Sequence, residues 1–199
     1  MVEPDDFIAG SPALDFVNTV GGIRGGTHND KLDTYADIVQ WGLLSGTLNR
    51  SEAERLAAIG RTRPETAARV VRRAKAFREA LHGVFAGVLR AQSAPSGDLS
   101  IVNDEIGRAL SHMRLRQRAH GWEWKWETGR DALDAPLWTV ARSAGELLTS
   151  REINRLRECA SETCGWYFLD HSKNQSRRWC DMKGCGNREK LRRYRHGTS

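Results

Sequence analysis

Several features are missing from this 199-residue sequence. No apolar run approaches the ~20 residues of a membrane-spanning helix, so we expect a soluble protein with no membrane partner. Residues 1–10 lack the basic start and apolar stretch of a secretory signal, because Glu3, Asp5 and Asp6 stand there instead. We therefore expect a cytoplasmic protein whose thiols stay reduced.

Cysteine is absent from the first 158 residues and then occurs four times. The cysteines form two pairs with four residues between the members, and a glycine follows the second member of each pair. Such loops let backbone amides turn toward the sulfurs, as a tetrahedral site with four sulfur ligands requires. The pattern therefore predicts one structural Zn²⁺ ion with the ligands Cys159, Cys164, Cys180 and Cys185. Two disulfides, or four buried thiols that only pack, are the alternatives.

Two segments carry a resemblance to known families. The string Cys185-Gly186-Asn187-Arg188, preceded by the other three cysteines, resembles the CGNR zinc finger. The string Leu14-Asp15-Phe16-Val17-Asn18-Thr19, followed by Trp41, resembles the ABATE domain that usually precedes this finger. Together the two resemblances cover nearly the whole chain. They imply a bacterial regulator of transcription that is induced by stress.

Positive charge is concentrated at one end of the sequence. Residues 151–199 contain 12 Lys or Arg and 6 Asp or Glu, which leaves 19 of each kind for residues 1–150. Zinc with four thiolates carries a formal charge of about −2, so this end stays positive. A cationic helix on a small metal scaffold is one way to place arginines against phosphates or in the major groove. We predict that nucleic acid, first of all double-stranded DNA, contacts Lys173, Arg177, Arg178, Lys183, Arg188, Lys190, Arg192, Arg193 and Arg195.

Alternatives stay open for the basic segment. RNA binds arginines as DNA does. The positive charge would also suit a surface that binds an acidic protein, or a tail that is only solvated. Arg188, next to the second cysteine pair, has a structural alternative in which it hydrogen-bonds the loop or pairs with Asp170 or Asp181. A third interpretation is an enzyme with a structural finger, whose candidate groups are Asp15 with His28 or a reactive thiolate among the cysteines. No nucleophile, base and orienting group can be assembled from the spacing, so we expect no catalytic activity.

Hydrophobic periodicity predicts a mostly helical amino-terminal part. Helix signals occur at 12–20, where a strand competes, and at 35–44, 51–59, 65–92, 98–113 and 134–159. Thr34 is expected to cap the second helix, and Ser51 with Glu54 to form a capping box on the third. The glycine-rich segment 21–30 lacks the Gly-Lys-Ser/Thr ending of a phosphate loop, so we expect a surface loop there.

Alternation with period two predicts a hairpin near 114–127. Trp122, Trp124 and Trp126 fall on one face of it, where they could stack on bases or cover the helices. We expect them to cover the helices, because Glu123 and Glu127 would repel phosphates.

The carboxy-terminal segment reads as strands at 166–169 and 176–179 around a polar turn, followed by a helix at 187–195. This order favours a treble-clef-like or zinc-ribbon module. The expected fold class is therefore α+β and mostly helical, with a helical domain at 1–150 that carries a small β-hairpin, and a four-cysteine zinc module at 151–199. A short, stiff junction is expected to orient the module. Sensing a small-molecule effector and forming dimers are the two candidate roles of the amino-terminal domain.

Overall fold

The computed structural model describes residues 2–22, 28–127, 129, 132–195 and 197, with only the backbone of residue 28. Most of these residues are helical, and their short strands pair in two-stranded antiparallel sheets. In chain order the elements are α1 Pro12–Val17, β1 Val20–Gly22, β2 His28–Asp30, α2 Tyr35–Leu44, α3 Arg50–Thr62, α4 Pro64–Leu89, α5 Ser96–Ser111, β3 Met113–Arg118, β4 Gly121–Trp126, α6 Ala135–Thr149, β5 Leu156–Glu158, β6 Tyr167–Leu169 and α7 Asn187–Arg195. The expected α+β, mostly helical fold class is confirmed.

The core is built around α4, the longest helix, whose apolar positions recur at helical spacing. α4 packs against α1, α2, α3 and α5, and α6 closes the core against α1 and α5. The buried face of α4 includes Val70, Ala74, Phe77, Leu81 and Val84. This amphipathic pattern is the main reason that the sequence predicts a helical domain.

Two helix starts test the capping predictions. The Thr34 hydroxyl accepts the N–H of Asp37 and caps α2, which begins at the predicted residue. The predicted start of α3 at Ser51 is wrong, because Asn49 and Glu52 form the capping box instead. The Asn49 side chain accepts the Glu52 N–H at 2.9 Å, and the Glu52 carboxylate accepts the Asn49 N–H at 2.8 Å. The helix therefore begins at Arg50, one residue before the predicted start.

The glycine-rich segment is only partly a loop. β1 pairs with β2, with Val20 opposite Asp30. The prediction of a surface loop at 21–30 is therefore wrong at both ends of this segment, where strands are present. Residues 23–27 lie outside the described residues. Buried Arg78 holds this hairpin with hydrogen bonds of 2.7 and 2.9 Å to the Asp30 carboxylate. Burial alone would raise the pKa of Asp30, but the hydrogen bonds from Arg78 lower it far below its ordinary value.

The hairpin predicted near 114–127 is present as β3 and β4, with Met113 opposite Trp126 and Leu115 opposite Trp124. The expectation that all three tryptophans cover the helices is wrong. Only Trp126 packs inward, with its ring 5.9 Å from that of Trp138. Trp124 and Trp122 are 58% and 65% exposed, because only the base of the hairpin is covered by the helices.

The carboxy-terminal part departs from the predicted strand pairing. After α6, a 3-10 helix at Arg151–Arg155 leads into β5, so the expected helical continuation into Cys159 does not occur. β6 pairs with β5 and not with 176–179, because Leu156 and Leu169 are both buried in the common core. The predicted terminal helix is confirmed at 187–195, directly after a π-helical turn at Met182–Gly186. No helix in the described ranges has the length and apolar character needed to cross a bilayer.

Candidate metal centre

The four cysteines come from two separate stretches of chain and meet in one place. Cys159 directly follows β5, Cys164 ends a short turn, Cys180 precedes the π-helical turn, and Cys185 lies within that turn. We call residues 159–164 the first knuckle and residues 180–185 the second knuckle. All four thiols are buried and free, with exposures between 2% and 6%.

The geometry of the sulfurs fits a tetrahedral metal. The four Sγ atoms lie within 4.8 Å of one another, with 3.5 Å between Cys164 and Cys180 and 3.6 Å between Cys180 and Cys185. A Zn–S bond of about 2.3 Å in a tetrahedron places the sulfurs about 3.8 Å apart. These distances are too long for disulfides, whose S–S bond is about 2.05 Å. The residues present therefore fit Zn²⁺, which would link the two knuckles.

The thiols lie so close together that the charge state of one shifts the pKa of its neighbours. Hydrogen bonds from the thiols of Cys164 and Cys180 lower the pKa of Cys159 to about 2. Its anion, held by the same hydrogen bond, raises the pKa of Cys164 to about 12 and raises that of Cys180 still further. Among these three cysteines, one thiolate is thus stabilised and the protonated forms of the other two are favoured. A divalent cation removes this difference, since it favours four thiolates together.

The glycine after each cysteine pair has a specific structural reason. Gly165 has φ of +70°, a left-handed conformation that side chains rarely adopt, and it redirects the chain from the first knuckle toward β6. A Cβ at Gly186 would lie 2.6 Å from the Met182 sulfur, so a larger residue there would displace this exposed, flexible side chain. Gly165 is therefore favoured by its backbone conformation, and Gly186 leaves room for Met182.

Helix α7 is fastened to the first knuckle by three neighbouring side chains. The Ser161 hydroxyl donates to the buried Glu189 carboxylate at 3.0 Å. Arg192 donates to Glu162 at 2.9 Å, and Arg188 donates to the Thr163 hydroxyl at 3.3 Å. Hydrogen bonds from Arg192 and then from Ser161 lower the pKa of Glu189. The orientation of α7 therefore depends on a correctly formed first knuckle.

The amino-terminal part forms hydrogen bonds with the edge of β6 that faces away from β5. The Asn18 side chain donates to the Tyr167 carbonyl at 2.8 Å and accepts the Tyr167 N–H at 2.9 Å. The Ala9 carbonyl accepts the Leu169 N–H at 2.9 Å, and the Val20 carbonyl accepts the Trp166 indole N–H at 2.9 Å. The finger is thus held to the helical part by contacts made well before the cysteines in the sequence. The boundary predicted between 150 and 151 stays a prediction.

Three of the nine predicted nucleic-acid contacts have structural roles. The Arg177 guanidinium lies 4.4 Å from the Phe168 ring centroid and donates to the carbonyls of Trp179 and Cys180. Arg188 and Arg192 hold α7 on the first knuckle, as described above. For Arg188, the structural alternative of a hydrogen bond to the loop is the one present, at Thr163, and among the described residues it pairs with neither Asp170 nor Asp181.

The other six predicted contacts have exposed side chains: Lys173, Arg178, Lys183, Lys190, Arg193 and Arg195. Within the part of the chain that the structure describes, these six side chains make no hydrogen bond or ion pair. Arg178 lies 5.4 Å from the Trp179 ring centroid. The six are therefore available to an external anion.

The candidate groups for catalysis are not brought together into a described site. Asp15 is largely buried and accepts the Ala9 N–H at 3.0 Å, and burial raises its pKa to about 6. The His28 side chain lies outside the described residues. The absence of catalytic activity and the small-molecule effector both stay predictions.

Sequence reasoning missed the functional partners of the finger that lie far from it along the chain. Asn18 lies 149 residues before Tyr167, and no local pattern links the two. Ser161, Glu162 and Thr163 resemble ordinary loop residues in the sequence, yet each holds a residue of α7. The one available signal for Asn18 was its place in the string that resembles ABATE.

Two known families match most of the chain. Residues 10–151 match the ABATE family, described as "Putative stress-induced transcription regulator". Residues 155–196 match the CGNR zinc finger, and this range contains all four clustered cysteines. No curated protein matches the chain. Both resemblances are confirmed, and the finger match together with the clustered thiols indicates a zinc-binding protein.

Proposed function

This chain belongs to the ABATE family and carries a CGNR zinc finger, and from that premise we propose that it is a zinc-dependent, DNA-binding regulator of transcription. One observation carries the proposal: α7 presents exposed cations while its single acidic residue, Glu189, is buried and paired. Lys190, Arg193 and Arg195 on this helix therefore meet solvent without a compensating carboxylate on the same helix. Such a surface attracts the phosphate backbone.

The proposed role of the metal is to orient α7. Zn²⁺ would join the first knuckle to the second, and the second knuckle leads directly into α7. The first knuckle supplies the anchors Ser161, Glu162 and Thr163. We expect α7 to lose both supports together when the metal is removed, because small metal modules take most of their folding free energy from the ion.

The diameter of α7 is compatible with the major groove of duplex DNA. An α-helix with its side chains is about 10–12 Å across, the major groove is about 12 Å wide, and the nine residues of α7 extend roughly 13 Å along it. Leu191 and Tyr194 are 58% and 87% exposed between the cations. We propose that these two side chains meet base edges, such as thymine methyl groups, while the cations bind phosphates.

The test compares two charge-matched double variants with the unchanged protein. Lys190→Ala with Arg193→Ala removes two exposed cations from α7. Arg116→Ala with Lys125→Ala removes two exposed cations from the β3–β4 hairpin and serves as the control. Binding to a randomised duplex pool and to single-stranded RNA is measured at several salt concentrations, with and without a zinc chelator.

The expected result is enrichment of one duplex motif, with binding that weakens with salt and disappears with chelator. The slope of log K against log salt should fall by about 1.8 in the α7 variant, since each lost phosphate contact removes about 0.9. The hairpin control should keep the slope, and both variants should keep their zinc content. Equal slopes in all three proteins would refute the role of α7. Tighter binding to the single-stranded RNA than to any duplex would identify RNA, and not DNA, as the ligand.

A further inference from the structure

The β3–β4 hairpin exposes an apolar face that the described part of the fold leaves uncovered. Side chains alternate across the two strands, so Leu115, Trp122 and Trp124 share the face that carries Trp126 at its base. Leu115 is 53% exposed, and the two outer tryptophans are exposed still further. Water-exposed tryptophans side by side are unfavourable in a lone monomer, so a partner for this face is expected.

A groove between α5 and α6 continues this apolar face. It has a volume of about 750 Å³, and Trp124 forms one wall of it. Ile106, Leu110 and Met113 line the groove, and Gly145 opens its floor, since this residue has no side chain. We call the hairpin face and the groove together the tryptophan patch, with members Ile106, Leu110, Met113, Leu115, Trp122, Trp124 and Gly145.

The apolar area of the tryptophan patch matches what a stable dimer needs. A tryptophan buries roughly 200 Å² when fully covered, so Trp122 and Trp124 leave about 250 Å² exposed to water. Leu110 and Leu115, about half exposed, add about 100 Å². A standard interface takes about 800 Å² from each partner, of which about 450 Å² is non-polar. Four side chains thus supply most of the apolar area that one partner contributes.

The charges around the tryptophan patch fit a second copy of the same chain. The groove is bordered by one Arg and one Glu, Arg142 and Glu146, which pair at 2.6 Å, so the border is neutral. Two such borders can face each other across a twofold axis without net repulsion, whereas two copies of α7 would repel. On the opposite face of the hairpin lie Arg114 and Arg118, already paired with Glu127 and Glu123.

We propose that the chain forms a twofold symmetric dimer through the tryptophan patch. A single-stranded nucleic acid is the weaker occupant, because stacking platforms place cations beside the aromatic rings. Among the described residues, the cations of the hairpin itself fall on its other face by strand alternation. The proposal does not rest on DNA binding, since α7 shares no residue with the tryptophan patch.

The test measures molar mass in solution by light scattering and sedimentation equilibrium. The unchanged protein should have twice the chain mass of 22.3 kDa at micromolar concentration. Trp122→Ser with Trp124→Ser should raise the dimer dissociation constant at least 100-fold and give the mass of a single chain. Leu191→Ser with Tyr194→Ser removes two large side chains of similar or greater exposure from α7 and should leave the dimer intact.

A second variant tests whether loss of the dimer could be caused by local misfolding of the hairpin. Leu110→Glu changes an exposed position of α5 within the tryptophan patch and should dissociate the dimer with unchanged circular dichroism and zinc content. A monomeric unchanged protein would overturn the proposal, as would a dimer that survives both variants. Quenching of tryptophan emission by an oligothymidylate in a monomeric protein would also overturn it and assign the face to single-stranded nucleic acid.

Discussion

Replacing Asn18 tests whether the amino-terminal part holds the finger in place. The Asn18 side chain is 1% exposed and forms two hydrogen bonds with the backbone of Tyr167, at 2.8 and 2.9 Å. Together with Ala9 it satisfies the edge of β6 that faces away from β5. In Asn18→Ala, the N–H and C=O groups of Tyr167 lose these partners while they remain buried.

The magnitude follows from these two backbone groups. An unsatisfied buried polar group costs about 1–3 kcal/mol, so two of them give a loss of about 2–6 kcal/mol in the free energy of unfolding. Partial access of water to the new space favours the lower half of this range, about 3 kcal/mol. Single domains are stable by only about 5–15 kcal/mol. The expected fall in Tm is about 6–12 °C for a chain of this size.

The assay is urea denaturation at fixed zinc concentration, followed by calorimetry. Asn103→Ala, at an exposed position of α5, is the matched control and should change stability by less than about 0.5 kcal/mol. Asn18→Asp keeps an acceptor for the Tyr167 N–H but sets a carboxylate against its carbonyl, so it should be milder at about pH 4 than at about pH 7. A loss below about 1 kcal/mol in Asn18→Ala would refute this reasoning.

Two further predictions concern the metal and a buried acid. Chelation, or Cys164→Ser, should remove hydrogen-exchange protection from α7 and leave that of α4 and α6, because structural zinc contributes about 10 kcal/mol to its own module; loss of protection in α4 as well would contradict the two-domain division. Asp15 has a pKa of about 6 in the folded protein against 3.8 as its ordinary value, so its contribution to stability is full below about pH 4 and is lost as pH rises through 6. Asp15→Asn should therefore be more stable than the unchanged protein by about 3 kcal/mol at about pH 7.5, with the difference closing at about pH 4 in urea titrations; equal differences at both pH values would contradict it.

Local patterns in the sequence predicted some elements well and others poorly. Residues 35–44 and 187–195 were predicted as helices with their observed bounds, because a capping Thr34 and a run of strong helix formers are local signals. The partner of β6 was predicted wrongly. Strand pairing depends on which segments bury their apolar residues together, and both 156–158 and 176–179 are near enough to β6 in sequence to compete.

The basic residues show a similar limit. In the sequence only Arg188 stands out among the nine cations, by its place next to the second cysteine pair, but the fold assigns Arg177 to an aromatic ring and both Arg188 and Arg192 to the first knuckle. An arginine has five donors and a long stem, so its role depends on the neighbours within reach. Which arginines remain exposed could not be read from their order along the chain.

Spacing over a few residues is enough to establish that four cysteines in two glycine-terminated pairs follow a mostly helical, amphipathic segment. The contact of Asn18 with Tyr167, the contact of Ser161 with Glu189 and the exposure of the outer hairpin tryptophans are visible in the folded chain alone. These outcomes join residues that are distant along the chain or depend on how far the helices extend beneath a hairpin. Such contacts form when separate elements bury their surfaces together, and no local pattern specifies them.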